Sequence, residues 1–277
     1  MALPFIPSDA VAIALQAGVV AAPRAAPRLA IADRLRGPAW ALVPIGSIVV
    51  VIFAIRYVSD TATGLTYLAL VAVPPLAVAA LGWAMRGAKP WLGLAVLPLF
   101  ALAWAIPTTL VGEGSAALLS ALSCVTLGVL LSSVTPAKWL KLGIVLMACA
   151  DTWLVVTDLL QKPNSELVAA APVAGLPQLQ SVLFGNVSFG YGDLFVAALL
   201  GAVVAGCARR QTAAALLTFA LAAVFDLLFL VVNELPATVP VAVAVIVLEV
   251  WDWARAPGTQ LRRPFRPPRT ARSSARP

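Results

Sequence analysis

Four aspartates stand inside apolar runs of this chain: Asp151, Asp158, Asp193 and Asp226. A carboxylate at a bilayer centre costs about 2.5 kcal/mol or more on insertion scales, so such a residue points to function by default. No Lys or Arg stands inside these runs to pair with them. Two carboxylates that face each other cannot both ionise readily, and they share a proton. One can then act as base on a water while the other, protonated, polarises a peptide carbonyl. That chemistry needs two Asp and a water, and neither a metal nor a cofactor. It suits a chain that contains no His. The same absence excludes a Ser-His pair, a Ser-His-Asp triad and an HExxH zinc site.

The settings of the four acids differ. Asp193 belongs to Phe189-Gly190-Tyr191-Gly192-Asp193-Leu194, at the head of an apolar run that continues to Ala208. The two glycines remove side-chain bulk and widen the allowed backbone angles, which lets another backbone come close to the acid. Asp151 lies deep in its run, in Ala148-Cys149-Ala150-Asp151-Thr152-Trp153. Asp158 follows seven residues later, on the same helix face two turns on and nearer the boundary. Asp226 sits in Val224-Phe225-Asp226-Leu227. A single intramembrane Asp is most often a hydrogen-bonded contact between helices. Several on consecutive helices, without basic partners, point to a shared site.

The elements that must position these acids follow from composition. Of the 277 residues 61% are hydrophobic and only 11% charged, with a mean hydropathy of +0.96. A soluble domain has about 45–50% apolar and about 25% charged residues. The expected fold is an all-α, polytopic membrane helix bundle. Eight spans are expected at roughly 39–56, 64–85, 90–111, 115–134, 139–160, 184–208, 212–232 and 235–251. Residues 1–38 read as an interfacial or disordered lead-in, because the apolar stretch Val11–Ala22 is shorter than the about 20 residues a span needs. If it nevertheless crosses, the count is nine.

Residues 39–134 form an N-terminal four-helix part, and 139–251 the part that carries the acids. The tail 254–277, rich in Arg, Pro and Ser, is expected to be disordered. The loop Gln161–Leu183 is only half polar; it would lie on the membrane or cover a site as a flap. Cys124, Cys149 and Cys207 all fall in apolar runs and read as buried packing residues. No internal repeat suggests a transporter of two similar halves.

With eight spans and the N-terminus inside, every Lys and Arg but Arg56 and Lys162 falls on the inner side. That is the positive-inside pattern, and it puts the C-terminus in the cytoplasm. The net charge of +7 is therefore topology, with no nucleic-acid partner implied. Glu249 and Asp252 close the last run at the inner edge. The Ala-, Pro- and Arg-rich usage suggests a bacterial cytoplasmic membrane. Oligomeric state is left open.

Gly190-Tyr191-Gly192-Asp193 resembles the GxGD signature of the presenilin and signal peptide peptidase family of intramembrane aspartyl proteases. That family also carries a Tyr-Asp pair in the preceding helix and Pro-Ala-Leu at the start of the last helix. Ala150-Asp151-Thr152-Trp153 resembles the first, and Leu235-Pro236-Ala237-Thr238-Val239-Pro240 the second. The three occur in the right order over residues 139–251. Ala150 stands where the family has tyrosine, and Thr238 where it has leucine. The prepilin peptidases also use GxGD, usually with a Lys two positions after the Asp, where this chain has Phe195.

The resemblance implies a catalytic pair, Asp151 and Asp193, with Asp158 as the reserve first acid. It implies that Gly190, Tyr191 and Gly192 let a substrate backbone approach, and that Pro236 and Ala237 shape the cleft. The orientation is similar to that of signal peptide peptidases, and the implied substrate is a transmembrane peptide or membrane protein within the lipid bilayer. The other reading is a carboxylate-lined proton-coupled carrier or a non-catalytic membrane scaffold, to which Asp158 and Asp226 belong more naturally.

Overall fold

The computed structural model of the protein describes residues 7–26, 34–57, 60–157, 159, 161–170, 172, 175–185, 187–230 and 235–255. The described residues are mostly helical (81%). The elements are α1 (Pro7–Ala21), α2 (Leu42–Tyr57), α3 (Thr61–Ala79), α4 (Val96–Ala105), α5 (Leu110–Val134), α6 (Ala137–Val156), α7 (Gln161–Ala169), β1 (Ser181–Phe184), β2 (Val187–Gly190), α8 (Tyr191–Val204), α9 (Ala208–Asp226) and α10 (Val239–Arg255). Among the described residues, four helical stretches are long and apolar enough to cross a membrane: Pro38–Ile55, Thr61–Ala84, Leu110–Val134 and Ala137–Val156. Pro7–Ala21, Pro90–Ala105 and Tyr191–Val204 are apolar but shorter.

Local sequence sets the helix ends. Pro90 opens a 3-10 turn that leads into α4, a position where a missing N–H does no harm. Thr109 caps α5, its hydroxyl accepting from the Gly112 N–H at 3.2 Å. Pro136 precedes α6 and separates it from α5. The last turn of α3 widens into a π-helical turn, Ala80–Ala84, five residues after Pro74-Pro75.

α5 runs through the middle of the bundle and α8 lies against it. Gly128 is what lets them meet: a Cβ there would stand 2.9 Å from the carbonyl carbon and oxygen of Ala198. Around this contact Cys124, Val125, Val129, Leu194, Ala197, Ala198 and Leu199 are fully or almost fully buried. Without a hydrophobic force between helices in lipid, such close backbone approach by small residues is what holds a bundle together. Large apolar side chains such as Val50, Phe53, Leu68, Val71, Leu97, Trp153 and Leu216 face outward. One core contains residues from α1, α5, α6, α8, α9 and α10, so the parts 39–134 and 139–251 do not pack as separate units.

Three expectations need correction. Pro7–Ala21 is no lead-in: Ala12, Ile13, Gln16, Val19 and Val20 are buried, and the helix packs on α8, α9 and α5. Residues 27–33, also within the expected lead-in, lie outside the described residues. The span expected at 184–208 does not begin as a helix. Its first residues close an antiparallel hairpin, with Ser181 opposite Gly190 and Phe184 opposite Val187, and the helix runs only from Tyr191 to Val204. Of the cysteines only Cys124 is buried, while Cys149 and Cys207 are exposed. The expected disordered tail, from residue 256 onward, lies outside the described residues.

The basic residues gather at one end of the bundle. There the Arg24 N–H donates to Ala84 O, the Arg86 N–H to Ala22 O, and the Arg86 guanidinium to Ala205 O. The Gln211 side chain donates to both Val20 O and Pro23 O at 2.9 Å. Lys141 and Arg210 pair with Glu249, and Arg210 also with Asp252. These exposed pairs tie α6 and α9 to α10, each contributing at most about 1 kcal/mol. α7 and the hairpin lie at the other end.

Candidate functional site

Asp193 is the third residue of α8, directly after the hairpin. Its Oδ2 reaches back and accepts the Gly190 N–H at 3.0 Å. A carboxylate at this helical position satisfies a backbone donor that has no partner within the helix. Gly190 has φ −67° and ψ 145°, an extended conformation open to any residue. Space, not backbone freedom, is what glycine supplies here: a Cβ would stand 3.2 Å from Asp193 Oδ2. At Gly192 a Cβ would meet nothing within 4 Å.

Asp151 lies five residues before the end of α6. Its carboxyl group and that of Asp193 act on one another electrostatically. The two acids singled out by the sequence are therefore brought together. Their distances from the basic-side ends of their helices differ by about 4 Å. Asp193 is eleven residues, about 17 Å, from the end of α8 at Val204, and Asp151 fourteen residues, about 21 Å, from the start of α6. Both stand toward the hairpin end of the bundle.

Other expected residues are placed as follows. Tyr191 opens α8, and its hydroxyl lies 2.7 Å from Ser123 Oγ of α5. Ser123 in turn donates to Ser120 O at 2.7 Å, which leaves Tyr191 as the donor of their pair. Pro236 and Ala237 form the turn before α10, with Pro236 buried. Asp158 lies outside the described residues. Asp226 is not part of the pair. It is buried at the end of α9, its Oδ2 has no hydrogen-bond partner, and Asp9 of α1 acts on it electrostatically.

Sequence reasoning missed four polar residues around the acids. The Thr238 hydroxyl donates to Asp151 Oδ2 at 2.6 Å. The Gln16 amide of α1 donates to Ala237 O at 2.9 Å. The Ser120 hydroxyl donates to Leu179 O at 3.0 Å, which anchors the segment before β1. Ser123 holds Tyr191. A buried Gln interrupting the apolar stretch Val11–Ala22 was a usable signal, since polar residues between membrane helices are commonly interhelical contacts. Among the described residues, no group of three or more Cys, Asp and Glu converges as a metal site requires.

The hairpin covers an apolar cavity of about 370 Å³ between α1 and α5, bounded by Val182, Phe184, Val187 and Leu194. Leu194 adjoins Asp193, so the cavity and the acids share one neighbourhood. Ser188 and Gly190, just before Asp193, are exposed. A Gly192→Cys chain lacking Cys124, Cys149 and Cys207 should therefore react with a small polar thiol reagent. A thiol that stays unreactive would count against a hydrated site.

What this arrangement can do chemically is bounded: two carboxyl groups near enough to act on one another electrostatically, one held by a backbone N–H and one by a hydroxyl, with open space at Gly192. No protein-family model matches the chain, and neither a curated protein nor a solved structure matches it significantly.

Proposed function

We propose that the protein is an intramembrane aspartyl protease that hydrolyses peptide bonds within transmembrane segments, and that Asp151 and Asp193 are its catalytic pair. The observation that carries this reading is the electrostatic interaction of the two carboxyl groups, with Asp193 at the head of α8 behind Gly190-Tyr191-Gly192. One carboxylate takes a proton from a water as the water oxygen bonds to the peptide carbon. The other gives its proton to the carbonyl oxygen, forming a tetrahedral diol. Collapse of the diol breaks the C–N bond and returns a proton to the leaving nitrogen. The pair ends as it began, sharing one proton.

A membrane helix must lose its internal hydrogen bonds before a peptide bond is exposed, and the freed groups need partners. The hairpin ends at Gly190, three residues from Asp193, so its edge offers backbone groups to an extended segment by strand addition. The apolar cavity beneath it suits an apolar side chain of that segment. We further propose that the basic end faces the cytoplasm of a bacterial cell and that substrates enter with their N-terminus inside.

Purified protein should cleave a synthetic apolar helix in lipid vesicles, and a transition-state analogue of peptide hydrolysis should inhibit it, because enzymes bind the transition state more tightly than the substrate. No cleavage and no inhibition would sink the reading. A second reading, a proton-coupled carrier, is favoured by Asp226, whose buried Oδ2 lacks a partner beside Asp9. A carrier has no reason to bind the analogue.

A further inference from the structure

We infer that Thr238 is the positioning residue for the Asp151 carboxyl group, doing with a hydroxyl what the leucine of a Pro-Ala-Leu sequence cannot do. The inference rests on the protease reading above and assigns a part in it to a residue outside the acid pair.

Thr238 immediately precedes α10 and is 4% exposed. A Thr at this place ordinarily turns its hydroxyl to a free N–H of the first helical turn. Here the hydroxyl points to Asp151 Oδ2, at 2.6 Å, across the gap between α10 and α6. This one short bond fixes the position of the Asp151 carboxyl group from α10.

The donor is itself held. Val239 N donates to Pro236 O at 3.2 Å and Ala242 N to Thr238 O at 3.1 Å, which makes Pro236–Thr238 a tight turn on the head of α10. Gln16, 1% exposed, clamps that turn from the far side through Ala237 O. A chain of bonds thus runs from α1 through the turn to Asp151. Asp193 is fixed separately by Gly190. Each acid has its own anchor, so their separation is set by the packing of α10 and of the hairpin. Misplacement of a reacting group by about 1 Å is enough to lose about 100-fold in rate.

The test separates the hydroxyl from the methyl group. Purified Thr238→Val and Thr238→Ser chains are assayed on the same synthetic helix in vesicles beside the unaltered chain. Valine keeps the shape and removes the donor. Serine keeps the donor and removes the methyl. The expected result is a fall in kcat of about 10- to 100-fold for Thr238→Val, the range for losing a hydrogen bond to a charged group, with KM changed less than about 2-fold. Thr238→Ser should stay within a few-fold of the unaltered chain. If valine disturbs the fold, as thermal unfolding would reveal, Thr238→Ala removes the same donor without adding bulk. Activity kept in Thr238→Val and lost in Thr238→Ser would make the residue a packing element and overturn the inference. Equal losses in both would overturn it too. An unaltered chain that leaves the helix intact would remove the protease reading and this inference together. Cleavage by the unaltered chain and by Thr238→Val alike would remove this inference alone.

Discussion

Asp151→Ala and Asp193→Ala should each bring cleavage of a membrane helix down to background, and the double variant should be no worse. Residues that act as one unit are not additive, and a loss of about 10⁴-fold or more for either single change is the expected scale. Asp193→Asn should be equally inactive although it keeps the shape and can still accept from Gly190 N, because an amide cannot share the proton. Asp226→Ala should keep activity, since the acid that acts on Asp226 electrostatically is Asp9 and not either member of the pair. Asp158→Ala keeps it as well if Asp151 is the first acid. All these variants still insert, as removing a buried carboxylate lowers the cost of burial. The measurement is initial rate of cleavage in vesicles at equal protein. Retained cleavage in Asp193→Ala would end the protease reading. Retained cleavage in Asp151→Ala with loss in Asp158→Ala would move the first acid two turns along.

The second large effect belongs to Gly201, far from the acids on the basic side of α8. A Cβ there would stand 2.4 Å from Val20 O and 2.9 Å from Pro23 Cγ. A backbone carbonyl and a proline ring cannot turn aside, so α1 must move off α8. That movement pulls Val20 O and Pro23 O from Gln211 and draws Gln16 away from Ala237. Gly201→Ala should lose about 1–3 kcal/mol, seen as a fall of roughly 2–10 °C in Tm in detergent, and Gly201→Val more. Cleavage should fall as well, through the turn that carries Thr238. Gly18→Ala is the control, because its Cβ would meet nothing within 4 Å. An unchanged Tm in Gly201→Ala would mean that α1 and α8 do not pack as described.

Much of this was readable in the residues, and the physical reasons differ from place to place. The helical spans were legible because lipid leaves backbone groups no partner outside a helix. Asp151 and Asp193 were legible because charge inside an apolar run is rare. α1 was missed because a length criterion takes Val11–Ala22 alone, while the helix starts at Pro7 and crosses Gln16. The hairpin was missed because apolar strand and apolar helix look alike over a few residues. Gly185-Asn186 between two apolar runs was a turn signal that went unused; Gly185 indeed has φ +59°. Gln16 signalled a contact between helices, but its partner, like that of Thr238, was beyond reach, since which neighbour a polar side chain meets depends on how helices cross, and no spacing rule gives that.

The place of α1 bears on how the chain comes to be folded. Its hydrogen-bonding partners, Gln211 and Ala237, lie 188 to 221 residues further along the chain. α1 therefore waits for partners made much later in synthesis. Until α8, α9 and the turn before α10 have been made, Gln16 and the carbonyls of Val20 and Pro23 lack the partners they have in the finished protein. Contacts of such separation are slow to form, because a long loop must close before any contact rewards it. Synthesis order and packing order run in opposite directions here, and the seam that α1 completes is where assembly of the bundle would stall first.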